Sequence, residues 1–127
     1  MPLYNDAQQE VIWQILSLLP TIDEALQHMT VQLDELRMEE SSLLFQDVAE
    51  AISRIANSLL PLLSAEATKN ILPHITDLRQ AISQVADAYE VADLVAVQSA
   101  LINRLVPAFN GWQQEIRMGN LNKHRLS

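Results

Sequence analysis

The run IWQILSLLPTIDEALQHMTVQLDEL, Ile12 to Leu36, decides the fold. Its apolar residues stand at 12, 15, 19, 22, 26, 29, 33 and 36, a 3-4-3-4-3-4-3 spacing that keeps one face of an α-helix apolar along the whole run. Pro20 lies off this stripe, and the phase before it matches the phase after it. A loop at 18–23 would leave the two halves free to fall out of step. The spacing therefore predicts one kinked, proline-containing helix over residues 5–38. The competing reading takes Thr21-x-x-Glu24 as a capping box that starts a new helix.

Three further runs follow the same rule. Phe45, Val48, Ile52, Ile55, Leu59 and Leu62 form the second, and Ile71, Ile75, Leu78, Ile82, Val85 and Tyr89 the third. Val95, Gln98, Ile102, Leu105, Phe109, Trp112 and Ile116 form the fourth, with one polar member. Breaks are expected at Glu39–Ser42, Leu63–Ala65 and Glu90–Asp93, where Ser42, Ser64 and Asp93 are the candidate N-caps. Connections that short make neighbouring helices antiparallel. The fold expected is all-α: an antiparallel up-down-up-down four-helix bundle with kinked helices, a single domain over residues 1–118, and a frayed tail over 119–127 that opens with Gly119.

Composition agrees. Of 127 residues 49% are hydrophobic and two are glycine, which favours a packed helical chain over disorder. The absence of cysteine excludes disulfides and thiolate metal sites. The start MPLYNDAQQE has neither the basic nor the apolar region of an export signal, and no uncharged apolar run approaches the ~20 residues of a membrane span, so a cytoplasmic location is expected.

Charge is unevenly spread. The net charge is −8, and residues 1–50 hold ten acids against the single base Arg37. Such a surface repels a phosphate backbone, so nucleic acid is not the expected partner. It is either a solvated face or the docking face for a basic or amphipathic segment of a protein partner.

Four short stretches echo one another: LLPTI at 18–22, LLPLL at 59–63, ILPHI at 71–75 and LVPAF at 105–109. Proline inside a helix removes a donor and frees the carbonyl four residues earlier, here those of Leu16, Asn57, Lys69 and Asn103. Laid side by side from their turns, the helices carry all four prolines toward the end closed at 63–65, and that end is expected to splay. Pro61 can simply stop its helix, and Pro73 can sit in a first turn if that helix starts at Asn70. Pro107, followed by Gly111, has no such outlet. The shared pattern Pro-x-apolar…Gln at Pro20, Pro73 and Pro107 also suggests a duplicated helical hairpin.

Catalytic signatures are missing. The stripes carry no acid, and there is no Gly-x-Ser-x-Gly, no glycine-rich phosphate loop, and no Glu-x-x-His pair around His28, His74 or His124. The pair Arg117 and His124 straddles Gly119, where nothing would hold it rigid. The chain is read as a non-enzymatic interaction protein, adaptor-like or chaperone-like, without cofactor or metal. The candidate site is an apolar notch at the proline-bearing end formed by Trp13, Phe109 and Trp112 with His74 at its rim, and Asn57, Asn103 or Gln113 adding polarity. The alternatives are that Phe109 and Trp112 are simply core, that the notch holds a small molecule or an enzymatic centre, or that the chain is a structural homodimer.

Overall fold

Asn5 starts the first helix. Its side chain accepts from the Gln8 N–H at 2.8 Å, while the Gln8 side chain accepts from the Asn5 N–H at 3.0 Å, a reciprocal capping box. In the computed structural model, which describes residues 4–118, α1 then runs Asp6–Asp34 straight through Pro20. No second helix starts at Thr21. α2 spans Met38–Leu59 and ends in a 3₁₀ turn, Leu60–Leu62, in which Pro61 stops the α-helix as its sequence allowed. α3 spans Ala65–Glu90, its N-terminus capped by Ser64 Oγ, which accepts from the Ala67 N–H at 3.1 Å. Pro73 is therefore interior, not in a first turn beginning at Asn70. α4, Leu94–Ala100, is capped by Asp93, a π-helical turn covers Leu101–Leu105, and α5 runs Val106–Met118. The backbone remains right-handed helical at Leu101 and Val106, so these last three pieces form one continuous fourth rod. The chain is an all-α helical bundle.

The first turn differs from its expectation. α1 stops at Asp34 rather than 38, the break lies at 35–37 rather than 39–42, and Ser42 caps nothing because it sits inside α2. The cause is backbone geometry. Leu36 adopts φ 63°, and the Leu36 and Arg37 N–H groups donate back to the Leu33 and Gln32 carbonyls at 3.0 and 2.8 Å. This is a Schellman termination, normally signalled by glycine at the left-handed position. The same termination ends α3: Ala92 has φ 55°, and the Ala92 and Asp93 N–H groups donate to the Tyr89 and Ala88 carbonyls. Here the sequence marked the turn, because Asp93 doubles as the N-cap of α4 by accepting from the Ala96 N–H.

α1 packs chiefly on α2, and α3 on the fourth rod; α2 and α3 meet more sparsely. Specific contacts join these two hairpins. Tyr89 near the end of α3 donates to Ser41 near the start of α2, and Gln98 of α4 donates to Asp34 at the end of α1. His74 early in α3 faces Glu115 late in α5. In each pair the start of one helix lies opposite the end of the other.

The core follows the predicted stripes along α1 and α2 except at their last members, which fall outside the helices: Leu36 is exposed in the turn and Leu62 is part-buried; α3 adds Ala67, Ala81 and Ala88 while leaving Ile82 and Tyr89 part-buried. The fourth rod departs from its stripe. Val95 and Ile102 are exposed and Gln98 is only part-buried, whereas Val97, Leu101, Leu105, Ala108, Phe109, Trp112 and Ile116 are buried. Steps of four from Val97 to Leu105 exceed the α-helical repeat. The π turn supplies the difference, since the Val106 N–H reaches back five residues to the Leu101 carbonyl. Pro107 follows at once, where it has no N–H for the Asn103 carbonyl. The turn also carries Arg104, which bridges to α3 through Asp77 at 3.3 Å and Gln84 at 3.0 Å.

Pro20, Pro61, Pro73 and Pro107 are all exposed. Residues four apart share a helix face, so each freed carbonyl lies toward the solvent side, where water can serve it. Pro20 and Pro73 stand 16 and 19 residues before the left-handed residue of their hairpins, so the echoing prolines do not share a register with the turns. The expected tail at 119–127, with Gly119 and His124, lies outside the described residues.

Candidate functional site

The four residues singled out by the sequence occupy three different settings. Phe109 and Trp112 are fully buried, their rings 6.0 Å apart between centroids and tilted by 59°, a favourable aromatic arrangement. His74 lies against α5 at Gly111, where an added Cβ would come within 3.3 Å of the imidazole Nδ1. Its Nε2 stands 3.9 Å from Glu115 Oε2, with both side chains partly open to water. Glycine thus lets α3 and α5 approach closely beside the two buried rings. Trp13 is 55% exposed on the outer side of α1 and lines neither of the two crevices described below. Of the polar candidates, Asn57 and Asn103 are exposed, and Gln113 accepts from Arg117 one turn away.

Two crevices stand out among the described residues. The larger, about 500 Å³, is an open groove between the N-terminal half of α1 and the C-terminal half of α2. Val11, Ile15, Ala51 and Ile55 give it apolar walls, Leu18 stands 43% exposed beside them, and Gln14, Asp47, Glu50, Arg54 and Ser58 complete the lining. Arg54 is held by Glu50 at 2.6 Å, which leaves Asp47 as the uncompensated charge of the groove. Nothing in the apolar periodicity singles out this groove, because it depends on how α1 and α2 lean together. Its one sequence signal is the acidic bias of residues 1–50.

The smaller crevice, about 200 Å³, lies between α2 and α3. Ala49, Ser53 and Ala56 of α2 face Ile75, Leu78, Arg79 and Ile82 of α3, and Trp112 forms part of the wall. The small residues at 49, 53 and 56 form a second stripe beside the core stripe of α2, and they were the legible signal for a gap. The buried Trp112 Nε1–H has no hydrogen-bond partner among the described residues. Titratable groups there do not form a reacting pair, and among the described residues no three His, Asp or Glu side chains could hold a metal. No described helix is long and apolar enough to cross a membrane.

A family model, a domain of unknown function designated DUF8042, matches residues 10–115. The chain belongs to that family. The DUF8042 span takes in both crevices, both left-handed turns and all four rods but for the first turn of α1 and the last three residues of α5. No curated protein and no solved structure matches the chain.

Proposed function

We propose that this chain is a non-enzymatic, cytoplasmic interaction protein that receives a basic amphipathic helix of a protein partner in the α1–α2 groove. The observation that carries the reading is the pairing of an apolar floor, Val11, Ile15, Ala51 and Ile55, with an acidic setting. Grooves of this kind accept the apolar face of a helix through residues spaced at i, i+3 and i+4. Lysines flanking that face would meet Asp47 and the acidic surface of residues 1–50, which steer association and select sign.

The test uses two designed helical peptides with the same leucine stripe, one flanked by lysines and one by glutamates. The lysine peptide is expected to bind and to weaken at least tenfold as salt rises from about 50 to about 500 mM, because screening contracts to a few ångströms. Ala51→Trp, which fills the groove, and Leu18→Asp should each remove binding while the helical circular dichroism persists. Equal binding of both peptides, or binding that survives Ala51→Trp, would overturn the proposal. So would a stable dimer of the chain that covers the groove.

A further inference from the structure

The smaller crevice is walled in part by a residue with an unmet donor. Trp112 is fully buried, yet its indole N–H lacks an acceptor among the described residues, and a buried donor left without one is destabilising. The rest of the crevice lining is mostly aliphatic, with Ile52, Ala56, Ile75, Leu78 and Ile82, and Ser53 adds a hydroxyl. Arg79 is an exposed member of the lining, and among the described residues no carboxylate lies within ion-pair range of it. α2 and α3 also meet sparsely here, so the space is a standing property of the seam between the two hairpins.

We infer that this crevice is a binding site for a small amphipathic carboxylate, whose aliphatic chain lies between α2 and α3 and whose oxygens are taken by Trp112 Nε1–H and the Arg79 guanidinium. The volume of about 200 Å³ corresponds to roughly seven waters at ~30 Å³ each, room for a short aliphatic chain and too little for a helix. Apolar lining with a few convergent donors is the usual composition of a small-molecule site. A planar guanidinium suits a carboxylate better than any neutral head group, because it can donate two parallel hydrogen bonds. The site is separate from the α1–α2 groove, and neither requires the other.

Octanoate is the probe, with octylamine as the control of opposite charge. Calorimetry should show saturable binding of octanoate and none of octylamine. In ¹H–¹⁵N spectra the Trp112 indole N–H, assigned by comparison with Trp13→Phe, should move downfield as it gains an acceptor. Arg79→Gln should weaken octanoate about tenfold. Trp112→Phe keeps an aromatic ring, though a smaller one, and removes the donor, and it should weaken binding several-fold. Ala56→Leu and, nearer the lip, Ser53→Leu should abolish binding with the melting temperature unchanged or raised, since filling a void does not harm the bundle. The inference is overturned if octanoate does not bind up to millimolar concentration, if octylamine binds equally, or if binding persists in both filled variants.

Discussion

The Tyr89 hydroxyl donates a hydrogen bond to Ser41 Oγ at 2.9 Å, and the Ser41 hydroxyl donates in turn to the Met38 carbonyl at 2.8 Å. This relay ties the last turn of α3 to the first turn of α2 across the sparsely packed seam, beside the tilted contact of Phe45 with Tyr89. Ser41 is fully buried, so its hydroxyl depends on these partners. Tyr89→Phe should cost about 1 kcal/mol and lower the melting temperature by roughly 4 °C.

The same tyrosine sets an alkaline limit. Burial raises the Tyr89 pKa above the usual value near 10, and burial also raises Tyr4. Above about pH 10 the unfolded chain loses these protons first and the folded chain retains them, so stability declines as pH rises through the folded pKa. Thermal melts from pH 7 to 11 should be flat until about pH 9.5 and then fall. Tyr89→Phe should reduce the fall, and an identical decline in that variant would refute the assignment.

Leu36 and Ala92 hold left-handed backbone, a conformation that costs an L-residue roughly 1–2 kcal/mol. Both are exposed, Leu36 by 73%, so little packing is lost on truncation. Glycine removes the strain and costs about 0.5–1 kcal/mol in unfolded-chain entropy. Leu36→Gly and Ala92→Gly should each stabilise by about 0.5–1 kcal/mol in urea titrations at unchanged slope. Leu36→Val, with its branched Cβ, should destabilise.

The π turn makes an unusual prediction. Deleting one residue from a helix normally rotates everything beyond it by about 100° off its face. Deletion of exposed Ile102 should instead convert the π turn to α-helix and leave Val97, Leu101 and Leu105 in phase with Phe109, Trp112 and Ile116. Circular dichroism and a cooperative melt near that of the parent are expected. Deletion of exposed Ser83 from the regular part of α3 should unfold the chain. Point variants give the complement: Leu105→Ala should cost about 2–5 kcal/mol and Ile102→Ala within about 0.5 kcal/mol of nothing.

The candidate site was legible only in part. Trp112 stood on its stripe and emerges in the wall of a crevice, whereas the close approach of His74 to Gly111 was not foreseen from the sequence. Trp13 faces outward because its neighbours Ile12 and Ile15 occupy the core face. Arg79 and the small residues Ala49, Ser53 and Ala56 escaped notice; the small stripe on α2 could be read as a gap, but the wall that faces it belongs to another helix.

Sequence spacing by itself determined the four rods, the passage of α1 through Pro20, the caps at Ser64 and Asp93, and most of the inward faces of α1 to α3. These depend on which residues share a face within about two turns, and the order of residues in the chain settles that locally. Tertiary structure decided the rest. Leu36 and Ala92 take strained backbone with no glycine to announce it, because the hairpins need the turn there. The fourth rod carried two overlapping apolar stripes, and burial selected Val97, Leu101 and Leu105 over Val95 and Ile102 by opening a π turn beside Pro107. The crevices and the unmatched indole N–H of Trp112 arise where two hairpins meet, a relation among residues far apart in the chain that no local periodicity encodes.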